Sequence, residues 1–277
     1  RDRLRSRGLG DVYKRQCIDC NRYLKFDELD RRAKELGCDV IVTGHYARIK
    51  YNEETGKYQL LKGIDESKDQ SYVLYHMTQE QLKHTMLPLG DYTKDEIRKI
   101  AEEHGLVNAK KHDSQDICFV RNGSYADFIE GHTGNKYPEG NFIDCRGNIL
   151  GRHHGIIRYT IGQRKGLELS FAEPMYVCEI DSIENTITLG KKSELYSSVL
   201  IAKDITLIPF SSIDKPMRLK AKVRYRQPEQ WATVTQINED TLRIEFDELQ
   251  RAVTKGQAVV LYDSDTVVGG GTIFSVR

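Results

Sequence analysis

Cysteine is scarce. Six are spread irregularly through 277 residues, at 17, 20, 38, 118, 145 and 178, too few for a disulfide scaffold in a chain this size. No secretory signal peptide is recognisable, so the default is a reducing cytoplasm, where paired cysteines are more often redox, metal or catalytic than structural. No uninterrupted apolar run approaches the ~18 residues that a membrane span needs. A zinc site wants four ligands, yet there is one C-x-x-C, no second, and no H-x(3–5)-H. H-E-x-x-H, a Ser-His-Asp order and an intact phosphate-loop signature are missing as well, which removes the commonest hydrolase and nucleotidase signatures. A soluble, cytoplasmic protein of two or three domains is expected, at roughly 100–200 residues per domain.

Net charge is also small, at +1, but that balance hides an asymmetry. Residues 1–16 carry six Lys/Arg against two Asp, leaving 36 basic and 39 acidic side chains in the remainder. A mildly acidic body can still bind nucleic acid if its cations share one surface. The first 16 residues show neither helical nor strand periodicity and no initiator Met opens them. They read either as a basic nucleic-acid-binding arm or, the preferred expectation, as an extraneous leader resembling translated adapter sequence joined to a truncated gene.

From Arg22 the pattern turns helical, with Phe26, Leu29, Ala33 and Leu36 as the apolar face and Gly37 as the stop. Asp39 to Thr43 is a short β-branched run of the kind buried in parallel sheets, and it ends at Gly44-His45. Helix, strand and terminal glycine predict an open α/β sheet, whose ligands sit at the carboxyl edge of the strands. Residues 48–62 predict a hairpin, and Thr78-x-x-Gln81 and Thr93-x-x-Glu96 predict two capped helix starts, the second helix burying Ile97, Ile100 and Ala101. Beyond a short helix from Ser124 to Ile129, glycine, proline and asparagine become frequent and strands shorten, over Asn141–Asp144, Met175–Ile180 and Thr186–Leu189. Gly151 to Gly166 holds four Arg/Lys, two His and no acid. From about Ser197 five or six strands in roughly 80 residues predict a small barrel. We place domains at 17–123, 124–196 and 197–277, after the leader 1–16.

Two features carry chemistry. Along Arg218 to Arg226, alternation sends Leu219, Ala221, Val223 and Tyr225 to the core and lines the other face with five cations over about 13 Å. Like charges repel across a solvated face, so phosphate binding is the expectation. The other is Cys118, where the polar run Lys110 to Asp116 gives way to an apolar segment. Packing would make it an inert small residue, whereas Lys110, Lys111 and His112 would favour its thiolate over a thiol of ordinary pKa about 8.5. Cys17-x-x-Cys20 leaves three readings open. It is half a zinc site, a dithiol redox pair, or the source of a Cys20 that pairs with Cys118, one carrying a transferable sulfur and the other resolving it by disulfide exchange.

Eight motifs occur in order: Cys-x-x-Cys-Asn-Arg-Tyr-Leu-Lys-Phe at 17–26, Thr-Gly-His-Tyr-Ala-Arg at 43–48, Lys-Asp-Gln-Ser-Tyr at 68–72, Pro-Leu-Gly at 88–90, Lys-x-Asp-Ser-Gln-Asp-Ile-Cys-Phe at 111–119, Tyr-Thr-Ile-Gly-Gln-Arg-Lys-Gly at 159–166, Arg-Tyr-Arg-Gln at 224–227 and Gly-Gln at 256–257. Over 17–277 the chain closely resembles the bacterial-type tRNA-specific 2-thiouridylases, ATP-dependent sulfurtransferases of the wobble uridine. The resemblance implies a multi-domain α/β plus β fold: part of an adenine-nucleotide hydrolase-like (phosphate-loop ATP pyrophosphatase) domain, a small mainly-β central domain and a carboxyl-terminal β-barrel.

It further implies that Cys118 carries the persulfide, that Cys20 pairs with it in a disulfide and that Gly44 contacts ATP. His45, Lys68, Asp69, Gln70, Arg224, Tyr225 and Gln257 match tRNA-contacting positions. Mg2+ is expected with ATP, a cysteine desulfurase or sulfur-relay carrier as donor, no metal site in the protein itself, no membrane, and a monomer. The family's Ser-Gly-Gly-x-Asp-Ser loop is missing here, Arg15-Gln16 stand where an Asn-Pro pair is usual, many members carry Asp at the position of Cys17, and Lys255 replaces a frequent Pro. The alternatives are a tRNA-binding fragment without catalysis, for want of that loop, and an ATP-dependent sulfurtransferase acting on another substrate.

Overall fold

The computed structural model describes residues 15–107, 109 and 125–277. The leader up to Lys14 and the stretch from Lys110 to Val120, Cys118 included, lie outside the described residues. The chain enters at Arg15, whose buried guanidinium donates to the Thr272 hydroxyl. A continuous helix follows in three registers, α over Gln16–Asp19, π over Cys20–Glu28 and α again over Leu29–Glu35. Asn21 Nδ2 donates to the Cys17 carbonyl at 2.8 Å, occupying the acceptor that its own amide would take in an α-turn. A side chain inserted into the ladder accounts for the wider turn that begins there. Phe26 is buried as the periodicity predicts, but Leu29 and Leu36 are 45% and 64% exposed, so the apolar face is covered only at its start.

Next come β1 (Ile41–Val42), the hairpin of β2 (Ala47–Asn52) and β3 (Lys57–Lys62), and β4 (Thr85–Met86). β1 and β4 pair in parallel, as an α/β sheet requires. Among the described residues that sheet has two strands only, which leaves Val42 and Met86 exposed where a buried strand was expected. Both capping boxes form: Thr78 with Gln81 opens the helix Gln79–Lys83, and Thr93 with Glu96 opens Lys94–Glu103. Gln81 also donates through Nε2 to the Phe26 carbonyl at 2.7 Å, holding the π segment against the second helix. On Lys94–Glu103, Ile97 and Ala101 are half-buried and Ile100 is exposed, a shallower burial than the periodicity predicts.

After the helix Tyr125–Thr133, the strands β5 (Gly140–Ile143), β6 (Ile149–His153), β7 (Tyr176–Asp181) and β8 (Thr186–Gly190) form one sheet in the order β6-β5-β8-β7. Phe142, Val177, Ile187 and Leu189 close its own core. The remaining strands are β9 (Tyr196–Leu207), β10 (Met217–Lys222), β11 (Gln230–Asn238), β12 (Thr241–Arg251), β13 (Ala258–Asp263) and β14 (Thr266–Val276). They run β13-β10-β11-β12-β9-β14, and β14 returns to β13 to close a six-stranded barrel. Closure removes the free edges that a flat sheet of these strands would expose.

Alternation along β13 explains how the barrel meets the first domain. Val259 and Leu261 point into the barrel with Leu219, Val234 and Ile244. Ala258, Val260 and Tyr262 point outward and pack beneath Leu60, Tyr72, Leu74 and Met77. β13 is thus apolar on both faces. Gly270 permits the contact, since a Cβ there would sit 2.4 Å from the Val259 carbonyl oxygen and 2.8 Å from the Tyr75 ring. The hairpin then extends the barrel sheet, β3 pairing with β14 at Leu61–Thr266. A half-buried ion pair at 2.9 Å, Arg22 with Asp204, ties the amino-terminal helix to β9.

Candidate functional site

A cleft of about 970 Å³ opens between the first domain and the barrel. Gly44, at the carboxyl end of β1, lines it together with Lys68, Asp69 and Gln70 from one loop and Tyr225, Arg226 and Gln227 from the turn after β10. Five of the residues singled out in the sequence therefore meet, from segments more than 150 positions apart: Gly44, Lys68, Asp69, Gln70 and Tyr225.

Local hydrogen bonds explain the loop. Asp69 is buried, and its carboxylate accepts from the Gly63 amide at 3.1 Å, the Ser71 amide at 3.0 Å and the Ser71 hydroxyl at 2.8 Å. Gln70 Oε1 accepts from the Tyr46 amide at 3.0 Å, while the Gln70 amide donates to the Tyr46 carbonyl. Asp69 and Gln70 thus shape the loop against residues 44–46, and Lys68 is the member of the trio that brings positive charge to the cleft. The opposite wall is aromatic and cationic. Tyr225 lies 6.0 Å from Tyr72 between ring centroids, with Lys222 Nζ 5.9 Å above its own ring. Burial pulls the Lys222 ammonium below its usual range, while Asp69 and Glu229 pull it the other way.

Among the described residues, four of those predicted do not line this cleft: Cys20, His45, Arg224 and Gln257. His45 is turned inward, with Nδ1 2.7 Å from the Thr43 hydroxyl and Nε2 3.4 Å from Lys25 Nζ. Burial first, and the Lys25 charge second, push its pKa down to about 4, so at neutral pH it is an uncharged hydrogen-bonding ring. Arg224 spends one nitrogen on the carbonyls of Ile161 at 3.2 Å and Ala252 at 2.8 Å and on the Thr254 hydroxyl at 3.1 Å. It fastens the central domain to the barrel. Gln257 lies in a second cleft, of about 940 Å³, between those two domains.

The five cations of the strand are not equivalent. Regular pairing ends at Lys222. Arg218 is in a bidentate pair with Asp247 at 2.6 and 2.8 Å, and Arg224 donates to carbonyls, whereas Lys220, Lys222 and Arg226 form no ion pair among the described residues. Part of the basic segment 151–166 is likewise paired, with Arg152 and His154 on Glu139 and Arg158 on Asp127 and Glu130, while Arg164 and Lys165 form no ion pair among the described residues.

Cys20 is half-buried at the first position of the π segment, and Cys17 is exposed one turn earlier. Two features of the cleft were not anticipated from sequence. Tyr46 lines it with a buried hydroxyl lacking a hydrogen-bond partner among the described residues, and Lys94 Nζ stands 5.5 Å over the Tyr46 ring. The Lys94 amide donates to Asp65 Oδ2 at 3.0 Å, drawing the helix start toward the 65–70 loop. The motif Gly44-His45-Tyr46 was the only signal for Tyr46, and nothing in the sequence marks Lys94. Among the described residues no group of three or more His, Cys, Asp or Glu side chains could hold a metal ion.

The fold and cleft define a three-part protein, and family comparisons agree on all three parts. Residues 14–122 match the model described as the tRNA methyl transferase HUP domain, 126–191 its PRC-barrel domain and 197–273 the aminomethyltransferase beta-barrel domain. The chain is 51% identical to the tRNA-specific 2-thiouridylase MnmA of Clostridioides difficile, over 93% of this chain and 71% of that protein. Proteins of the same name from Moorella thermoacetica and Acetivibrio thermocellus are 50% and 49% identical, over 94% and 93% of this chain and 73% and 72% of theirs. This chain belongs to the tRNA-specific 2-thiouridylase family.

Proposed function

We propose that the protein transfers sulfur to C2 of the wobble uridine of tRNA in an ATP-dependent reaction, giving 2-thiouridine. The observation that carries this reading is the cleft, where Gly44, the Lys68–Gln70 loop and the Tyr225 turn converge between two domains. Sequence identity near 50% with named 2-thiouridylases supports it and does not favour either alternative, a non-catalytic tRNA-binding fragment or a sulfurtransferase for another substrate.

Lys68, Lys222 and Arg226 supply the positive charge that an RNA backbone needs, and Tyr225 offers a ring on which an extruded base stacks. Extrusion from the stack of the anticodon loop exposes C2 of the uridine to the incoming sulfur. The sulfur rides as a persulfide on Cys118. Either its terminal sulfur attacks C2, expelling the activated oxygen, and Cys20 then attacks the Cys118 sulfur of the C2–S–S–Cys118 adduct, or Cys20 attacks the Cys118 sulfur first and the released hydrosulfide displaces the activated oxygen; both routes end in 2-thiouridine and a Cys20–Cys118 disulfide. The thiolate is the reactive form in both routes.

ATP, with Mg2+, supplies activation of the C2 oxygen as a leaving group. The residues present fit that cofactor only in part. Gly44 stands open at the strand end, where a Cβ would meet just Leu89 Cδ1 at 3.4 Å, but these 277 residues contain no Ser-Gly-Gly-x-Asp-Ser loop for the phosphates. A persulfide-bearing desulfurase or relay protein is the donor that this chemistry calls for, acting on a cytoplasmic monomer. No described helix is long and apolar enough to cross a membrane.

The reading is tested by supplying tRNA, ATP and a persulfide donor and following thiolation on a mercury-containing gel. A tRNA with uridine at the wobble position is retarded, and the same tRNA with cytidine there is not. Equal retardation of both would overturn the assignment to wobble uridine.

A further inference from the structure

Trp231 is the single tryptophan of the chain, and it is 50% exposed on the outer face of the barrel. It stands on β11 directly across from Lys220 on β10. Lys220 Nζ is 5.6 Å and Arg218 Cζ 5.8 Å from the centroid of its indole. Lys222, which lines the cleft, lies two residues further along the same face of β10, about 6.6 Å from Lys220 at ~3.3 Å per residue. The acids of this face are already engaged: Glu229 with Lys62 at 2.6 Å, Asp247 with Arg218, and Glu245 with Arg243 at 2.6 Å. Lys220 and Lys222 form no ion pair among the described residues, although Asp69 and Glu229 act on Lys222 at longer range. The face therefore runs from the cleft through two cations outside any ion pair to an open aromatic ring, a pattern that suits a polyanion with flat, unpaired bases.

We propose that Trp231 is a stacking platform for an unpaired base of the bound tRNA, with Lys222 and Lys220 on the phosphates that lead to it from the cleft. The proposal rests on the tRNA reading above and adds a contact outside the cleft. A protein partner would be expected to claim the ring with apolar neighbours, whereas the neighbours here are cations.

The test uses the tryptophan emission of the chain, excited at the long-wavelength edge where its 15 tyrosines do not absorb, so that it reports on Trp231 alone, beside an independent filter-retention measurement of tRNA affinity. We expect tRNA to quench the emission with the same midpoint as retention. A blunt RNA duplex without unpaired bases leaves the emission unchanged. W231A weakens retention about tenfold, while W231F, which keeps a π-face, stays within about threefold. Wild-type retention in W231A, or equal quenching by the duplex, overturns the platform and leaves the tRNA reading standing. No retention of tRNA by the unsubstituted chain overturns that reading and the platform with it. The emission measurement needs no substitution, so it decides the matter even if W231A proves unstable.

Discussion

Two buried histidines make the fold acid-sensitive. His76 is 4% exposed, its Nε2 has no hydrogen-bond partner among the described residues, and its pKa is pushed down to about 3 by burial and then by Arg22, with Asp204 opposing. His45, 6% exposed, is pushed down to about 4 by burial and Lys25. Both folded values lie below the unfolded value of about 6.5. Between those limits the unfolded chain binds more protons, so the stability these groups allow is complete above about pH 6.5 and is lost as pH falls toward 4. Between pH 7.5 and 5.0 linkage gives a loss on the order of 2 kcal/mol for each histidine. His153, also depressed by burial, acts in the same direction. His154, raised by Glu168 and Glu139, acts oppositely but is fully exposed and adds little. The assay is urea unfolding at the two pH values for the parent and for His76→Leu. We expect the variant to lose less stability on acidification, by about 2 kcal/mol. An identical pH dependence in the two proteins would mean that His76 is already protonated or already solvated in the folded state and is not a source of the acid sensitivity.

Arg224→Ala removes three acceptor contacts that bridge the central domain and the barrel. A loss of about 2–4 kcal/mol is expected, with faster proteolysis between the domains, and unchanged proteolysis would show that Arg224 is not the fastener. Gly44→Ala meets no backbone atom and should leave the unfolding midpoint unchanged while lowering ATP-dependent thiolation; equal loss of stability and activity would mean that its role is structural.

The sequence showed most where a rule is local. The Thr78 and Thr93 capping boxes, the hairpin over 48–62 and the alternating strands of the barrel all form, since each depends on residues within a few positions of one another. What it did not show was decided by partners far away in the chain. Arg218 and Arg224 look alike on the strand, yet Asp247 neutralises one and three acceptors in two domains consume the other. Asp69 reads as a polar loop residue, and its tie to the amides of Gly63 and Ser71 has no signature in the sequence. The π register after Cys20 depends on one Asn21 side chain taking one carbonyl, an event with no periodic signature. The exposed Leu29, Leu36 and Val42 mark the opposite case, apolar faces whose periodicity is plain although little among the described residues covers them. Of the site, the motifs supplied Gly44, Lys68, Asp69, Gln70 and Tyr225, while Lys94 and, outside the cleft, Trp231 became visible only when distant strands and helices were placed side by side.

The most direct test of the central claim is thiolation of wobble-uridine tRNA by Cys118→Ser and Cys20→Ser, measured beside tRNA retention. Both variants are expected to retain tRNA as the parent does, and Cys118→Ser to form no 2-thiouridine. Full thiolation by Cys118→Ser would contradict it.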